Sequence, residues 1–121
     1  MKREDLPSMR LLAKNGQITY SDHAIDQMFD RNILDEDVEA VLCSNSNQLI
    51  EVQSPSKTAG KKHKDERVLI SDPQYNPAII VILALQMKGI PELVVVTVEH
   101  VHDDSWIKNP GSDPWLTRIK K

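Results

Sequence analysis

Thiols, aromatics and long apolar runs are all scarce in this sequence, and each scarcity removes a class of protein. A single cysteine, Cys43, allows neither an intrachain disulfide nor a zinc site built on several thiolates, and it fits a reducing cytoplasm. The longest apolar run, Ala78 to Leu85, falls far short of the roughly 20 residues that a membrane-spanning helix needs. The opening residues, Met1-Lys2-Arg3-Glu4-Asp5, lack the apolar stretch of a secretion signal. One Phe, two Tyr and two Trp leave few rings for stacking nucleic-acid bases. No glycine-rich phosphate loop, dinucleotide fingerprint or serine elbow occurs, so nucleotide hydrolysis and redox chemistry have no support.

What is present is a globular balance of 40% hydrophobic and 27% charged residues in 121, the size of one domain with one core. The net charge of −3 is unevenly spread. Residues 1–56 hold five Lys/Arg against ten Asp/Glu, residues 57–67 five against two, and residues 68–121 five against six. The middle stretch, Lys57 to Arg67, follows Ser54-Pro55-Ser56 and contains Gly60, which reads as a mobile basic loop over 54–66. Lys61, Lys62, Lys64 and Arg67 can contact phosphate there, since each neutralised phosphate releases counterions; a merely solvated loop is the other reading.

Apolar periodicity orders the rest. Leu6, Met9, Leu12 and Ala13 predict a helix over 6–14 that stops at Asn15-Gly16, and Gln17 to Tyr20 reads as a brief strand. Ser21 is a natural cap for a helix from Asp22 to about Asn32. On that helix Ala24, Ile25, Met28 and Phe29 form an apolar face for the core, with His23, Gln27 and Arg31 along one border. Asp35-Glu36-Asp37 opens a third helix that buries Val38, Val41 and Leu42. Beyond Gln48 the period changes to that of strands, at 48–53, 67–72, 77–85 and 93–98, with a turn at Lys88-Gly89. The expectation is an α+β domain, its N-terminal helices packed on an antiparallel sheet of about four strands. The tail over 107–121 is expected to be irregular, to wrap the surface and to be anchored by Trp106, Trp115 and Leu116.

These residues carry a resemblance. Ile18-Thr19-Tyr20-Ser21-Asp22-His23-Ala24, then Met28, Arg31, Ile33 and Asp37-Val38, followed by Val96-Thr97-Val98 and Trp106, resembles an uncharacterised prokaryotic family known as a domain of unknown function. That family is thought to be allied to small RelE-like and MqsR-like toxins. The resemblance implies a RelE-like α+β fold and a link to RNA, in the manner of the toxin of a toxin–antitoxin pair. Gln27 is a departure, since the family commonly has Arg there, and the basic loop lies outside the pattern.

Metal-independent RNA cleavage needs a base for the 2′-hydroxyl, an acid for the leaving oxygen and a cation for the phosphate. His23 stands at the second position of its helix behind Ser21, where free N–H groups and the positive dipole end favour phosphate and suit a base better than an acid. Arg31, two turns on, can hold phosphate bidentately, and His100 at the end of the last long strand can complete the set. Structural roles for His23 and Arg31, as helix caps and loop ties, weigh about as much. The short motif of His100, His102 and Asp104 is a weaker alternative as a divalent-metal site. Cys43, at a helix C-terminus, reads as a small inert core residue. The partners this reading names are RNA and a cognate antitoxin or other protein, with no membrane and no cofactor; the other reading of the same fold is a catalytically inactive protein- or RNA-interaction module.

Overall fold

A computed structural model describes residues 1–55, 66–86 and 89–119. Lys61, Lys62 and Lys64, with most of the expected basic loop, lie outside the described residues. Among those described, a 3-10 turn at Arg3–Asp5 leads into α1 (Leu6–Lys14), β1 (Ile18–Tyr20), α2 (Asp22–Arg31) and α3 (Asp35–Cys43). The strands β2 (Gln48–Gln53), β3 (Arg67–Asp72), β4 (Asn76–Gln86) and β5 (Glu92–His100) follow, and the tail carries β6 (Trp106–Lys108) and β7 (Leu116–Arg118). The chain is α+β, as the change of period at Gln48 implies.

Local chemistry explains the boundaries. Gly16 has φ of +74°, which ends α1 at little steric cost and turns the chain into β1. Ser21 caps α2 as expected: its Oγ accepts from Ala24 N at 3.0 Å. Ser21→Ala, which also removes a bond from Oγ to Val96 O at 3.2 Å, is expected to cost about 1–2 kcal/mol, read as an earlier urea midpoint with unchanged slope.

The sheet departs from an antiparallel meander in one respect. Its order is β1-β5-β4-β3-β2, and β1 runs parallel to β5, pairing Ile18 with Leu93 and Tyr20 with Val95. The other neighbours are antiparallel, so the sheet is mixed, with five strands. A three-residue strand carries no sequence signal for its partner's direction; the partner is chosen by tertiary packing of α1 and α2 on either side of β1.

Both faces of the sheet are covered. One receives the three helices, whose Leu6, Met9, Ala24, Met28, Val38, Val41 and Leu42 pack with strand residues such as Ile70, Val81, Leu83 and Val95. The opposite face buries Leu69 and Ile80 under Trp106, Trp115 and Leu116. The tail is therefore anchored by the three residues expected, but it is not irregular throughout. Residues 106–108 pair with 116–118 as a two-stranded sheet. The cause is chemical: Trp115 Nε1 donates to Ser71 Oγ at 3.0 Å, and Trp115 N donates to Gln48 Oε1 at 2.8 Å. Arg118 makes two bonds to the Glu51 carboxylate, at 3.0 and 3.1 Å, while its guanidinium carbon lies 4.6 Å from the centre of the Trp106 ring. Burial pushes the Glu51 carboxyl up, but the bonds from Arg118 and Gln53 outweigh it and hold the group below its ordinary value.

A second correction concerns α2. Ala24 and Met28 are buried as expected, yet Ile25 is 52% and Phe29 86% exposed. The helix is turned so that its polar border, rather than Ile25 and Phe29, lies against β5. The open edge of β5 supplies the reason.

Candidate functional site

β1 covers β5 only as far as Val95, after which the chain leaves the sheet to form α2. At Val96 the β4–β5 register shifts, Leu83 facing Val95 and Ile82 facing Thr97. Among the described residues, no strand lies beside the outer edge of β5 beyond this point. Unpaired backbone groups under a helix are costly, and α2 answers them with side chains. Ser21 Oγ donates to Val96 O at 3.2 Å, Gln27 Oε1 accepts from Val98 N at 3.2 Å, and Arg31 donates to Val98 O at 2.6 Å. Two members of the polar border read from the sequence, Gln27 and Arg31, thus complete the strand's hydrogen bonding together with the cap residue Ser21, while the third, His23, stays exposed.

The same bonds fix the imidazoles. Because Gln27 Oε1 accepts from Val98 N, its Nε2 is the atom 2.8 Å from His23 Nε2, and His23 must accept there and carry its hydrogen on Nδ1. His100 Nε2 lies 3.1 Å from the Arg31 carbonyl oxygen. A carbonyl can only accept, so His100 bears hydrogen on Nε2 and its Nδ1 offers a lone pair. The His102 ring stands edge-on to His100, with centroids 6.3 Å apart.

Of the residues proposed for catalysis, the structure brings Arg31 and His100 together and leaves His23 apart. His23 and Arg31 are eight residues apart on one helix, a backbone rise of about 12 Å, and His23 contacts Gln27 whereas His100 contacts the Arg31 carbonyl. His102, singled out only as a metal ligand, is the imidazole that stands next to His100. Among the described residues no three His, Cys, Asp or Glu side chains gather closely enough to hold a metal ion, so His100, His102 and Asp104 do not form such a cluster. Of the residues proposed to bind RNA, Ser21 has its hydroxyl engaged in the cap and on Val96, and Arg67 opens β3 opposite Gln53 and Ala84.

Tyr20, the last residue of β1, is partly buried against the helical core. Its hydroxyl is buried with no hydrogen-bond partner among the described residues. Burial first, then Glu39 and Asp35 nearby, push its pKa up to about 12 from the ordinary 10.0. A raised value means the folded state favours the neutral phenol. Its contribution to stability is therefore whole below pH 10 and is lost as pH rises toward 12. The expected outcome is a fall in urea midpoint across that window that is smaller in Tyr20→Phe. Cys43 is partly buried against the helical core, and burial pushes its thiol up despite the opposing charge of Lys14, in keeping with an inert side chain.

One feature escaped the sequence reading. Asp72 ends β3 fully buried, and its place is marked only by Pro73 after it, a turn signal that says nothing of burial. No helix among the described residues is long and apolar enough to cross a membrane. No curated protein and no solved structure matches the chain. A family model does match, over residues 20–100, from the end of β1 through the whole α2–β5 seam to His100: the chain belongs to the family described as Domain of unknown function (DUF4258).

Proposed function

We propose that the protein is a RelE-like, RNA-directed domain that cleaves RNA without a metal, as the toxin of a toxin–antitoxin pair does. The observation that carries this reading is the pair of imidazoles at the end of β5, 6.3 Å apart beside the Arg31 backbone. That spacing suits two groups flanking one phosphate. His100 Nδ1, left with its lone pair by the bond to the Arg31 carbonyl, takes the proton from a ribose 2′-hydroxyl. The 2′-oxygen then bonds to phosphorus, the bond from phosphorus to the 5′-oxygen breaks, and His102 gives the leaving oxygen its proton. The products are a 2′,3′-cyclic phosphate and a 5′-hydroxyl. Arg31 spends one N–H on Val98 O and has donors left for the phosphate oxygens.

The test is incubation of the purified protein with a mixed-sequence RNA in EDTA, with the termini of the products identified. Cyclic phosphate ends support the reading; intact RNA, together with normal growth of a host induced to make the protein, overturns it. A second reading, an interaction module that kept the fold without catalysis, is favoured by the outward face of α2, where Ile25 and Phe29 stand exposed one turn apart. Indifference of both RNA and host would support that reading.

A further inference from the structure

Away from the α2–β5 seam, a cavity of about 570 Å³ opens where α3 ends against the turn between β3 and β4, within the size range of small-molecule sites. Asp72 lies in its wall, along with Cys43, Ser44, Ser46 and Tyr75. The Asp72 carboxylate is fully buried, and only half of it is satisfied. Oδ1 accepts from Ser46 Oγ at 2.6 Å and from Gln74 N at 3.1 Å, while Oδ2 has no partner among the described residues. A buried carboxylate oxygen left without a donor is costly, and native structures leave few such atoms unexplained.

Donor and acceptor accounting defines what is missing. Ser46 Oγ spends its hydrogen on Asp72, so at the 2.9 Å contact between the two hydroxyls Ser44 Oγ must be the donor. Both serine hydrogens thus run toward Asp72; Ser44 Oγ also accepts from Ser46 N at 3.2 Å, so each hydroxyl keeps one lone pair. Gln74 Nε2 is occupied by the Tyr75 hydroxyl oxygen at 3.0 Å. The C-terminal end of α3, which closes the cavity at Ala40 and Cys43, adds partial negative charge. No Lys, Arg or His lines the cavity among the described residues. Beside the side-chain amides of Asn45, Gln74 and Asn76, which can donate or accept, the wall offers hydroxyl acceptors, a single carboxylate and, in the 69% exposed Tyr75, one aromatic ring.

We propose that this cavity binds the ammonium group of a small organic amine, with Asp72 Oδ2 as its counter-ion and Tyr75 against its carbon chain. One positive charge matches one carboxylate, and three N–H donors match the free oxygens of Asp72, Ser44 and Ser46. A divalent metal would find one carboxylate here where it commonly takes several charged ligands.

The test titrates the full-length protein with n-butylammonium chloride and follows the backbone amides of residues 44–46 and 74–76 by NMR. Butan-1-ol serves as the neutral analogue of equal size and sodium chloride as the ionic-strength control. Saturable shifts with the amine alone are expected. Asp72→Asn keeps an oxygen to accept from Ser46 and Gln74 and should weaken binding about tenfold or more. Tyr75→Ala, at an exposed position where folding is not at stake, should weaken it about two- to fivefold. Shifts that never saturate, an equal response to butanol, or a Tyr75→Ala protein that binds as the parent does would each overturn the proposal. So would saturation at lower concentration by calcium or magnesium chloride, which would make the cavity a metal site.

Discussion

Alanine at His100 or at His102 is expected to lower RNA cleavage by about 10² to 10⁴, the range that a general acid or base contributes. His102 is exposed and His100 makes one hydrogen bond to the Arg31 carbonyl, so both proteins should stay folded, with melting temperatures within a few degrees of the parent. His23→Ala is the discriminating partner experiment. With His23 about 12 Å along the helix from Arg31, its loss should leave the rate within a few-fold of the parent. A folded His23→Ala protein as crippled as His100→Ala would restore His23 as the base and imply that α2 moves when RNA binds. Cleavage by folded His100→Ala and His102→Ala proteins at the parent's rate would end the acid–base assignment. Abolition by EDTA with rescue by zinc or manganese would turn His100, His102 and Asp104 into ligands. Arg31 is best tested as Lys, which keeps the charge; alanine there also strands Val98 O, and the two effects would be confounded.

Trp115→Ala should cost about 3–5 kcal/mol, the ordinary price of emptying a site filled by a large buried aromatic. The loss exceeds simple burial because the indole N–H bond to Ser71 goes with the ring and leaves the buried hydroxyl short of a partner, whereas the backbone N–H of residue 115 keeps its bond to Gln48. Urea unfolding followed by circular dichroism gives the number. Trp115→Phe, which keeps a ring and gives up the bond to Ser71, should fall between the parent and alanine. A cost below about 1 kcal/mol for alanine would mean that the second face of the sheet is held without the tail.

The sequence was most legible where one periodicity and one cap agree. Leu6 to Lys14 ends at a glycine, Ser21 precedes Asp22, and Asp35 to Asp37 opens a buried stripe of Val38, Val41 and Leu42; all three helices lie where those signals put them. The strands from Gln48 onward were likewise readable from alternation and from the doubly apolar run in β4. What could not be read were choices made between elements. The direction of β1 is fixed by where its neighbours pack, not by three residues of its own. The rotation of α2 is decided by backbone atoms of Val96 and Val98, which have no letter in the sequence, and it reverses the expected burial of Ile25 and Phe29. In the candidate site, His100 and Arg31 were named and are adjacent, whereas His102 owes its place to a chain turn after β5. Asp72 went unnoticed because an acidic residue before proline looks like any surface turn until the strands on either side bury it.

The way α2 seats on β5 has a consequence for alignment. Apolar contact alone is tolerant of sliding, since Ala24 and Met28 would meet much the same surface after a small shift along the strand. The polar contacts are not, for they form an ordered message: a donor from Ser21, an acceptor from Gln27 and a donor from Arg31 meet an acceptor, a donor and an acceptor on Val96 and Val98. Displaced by one step, this sequence would set like against like. The helix is thus indexed on the strand as a key is by its notches, and His100 inherits that index through the Arg31 carbonyl.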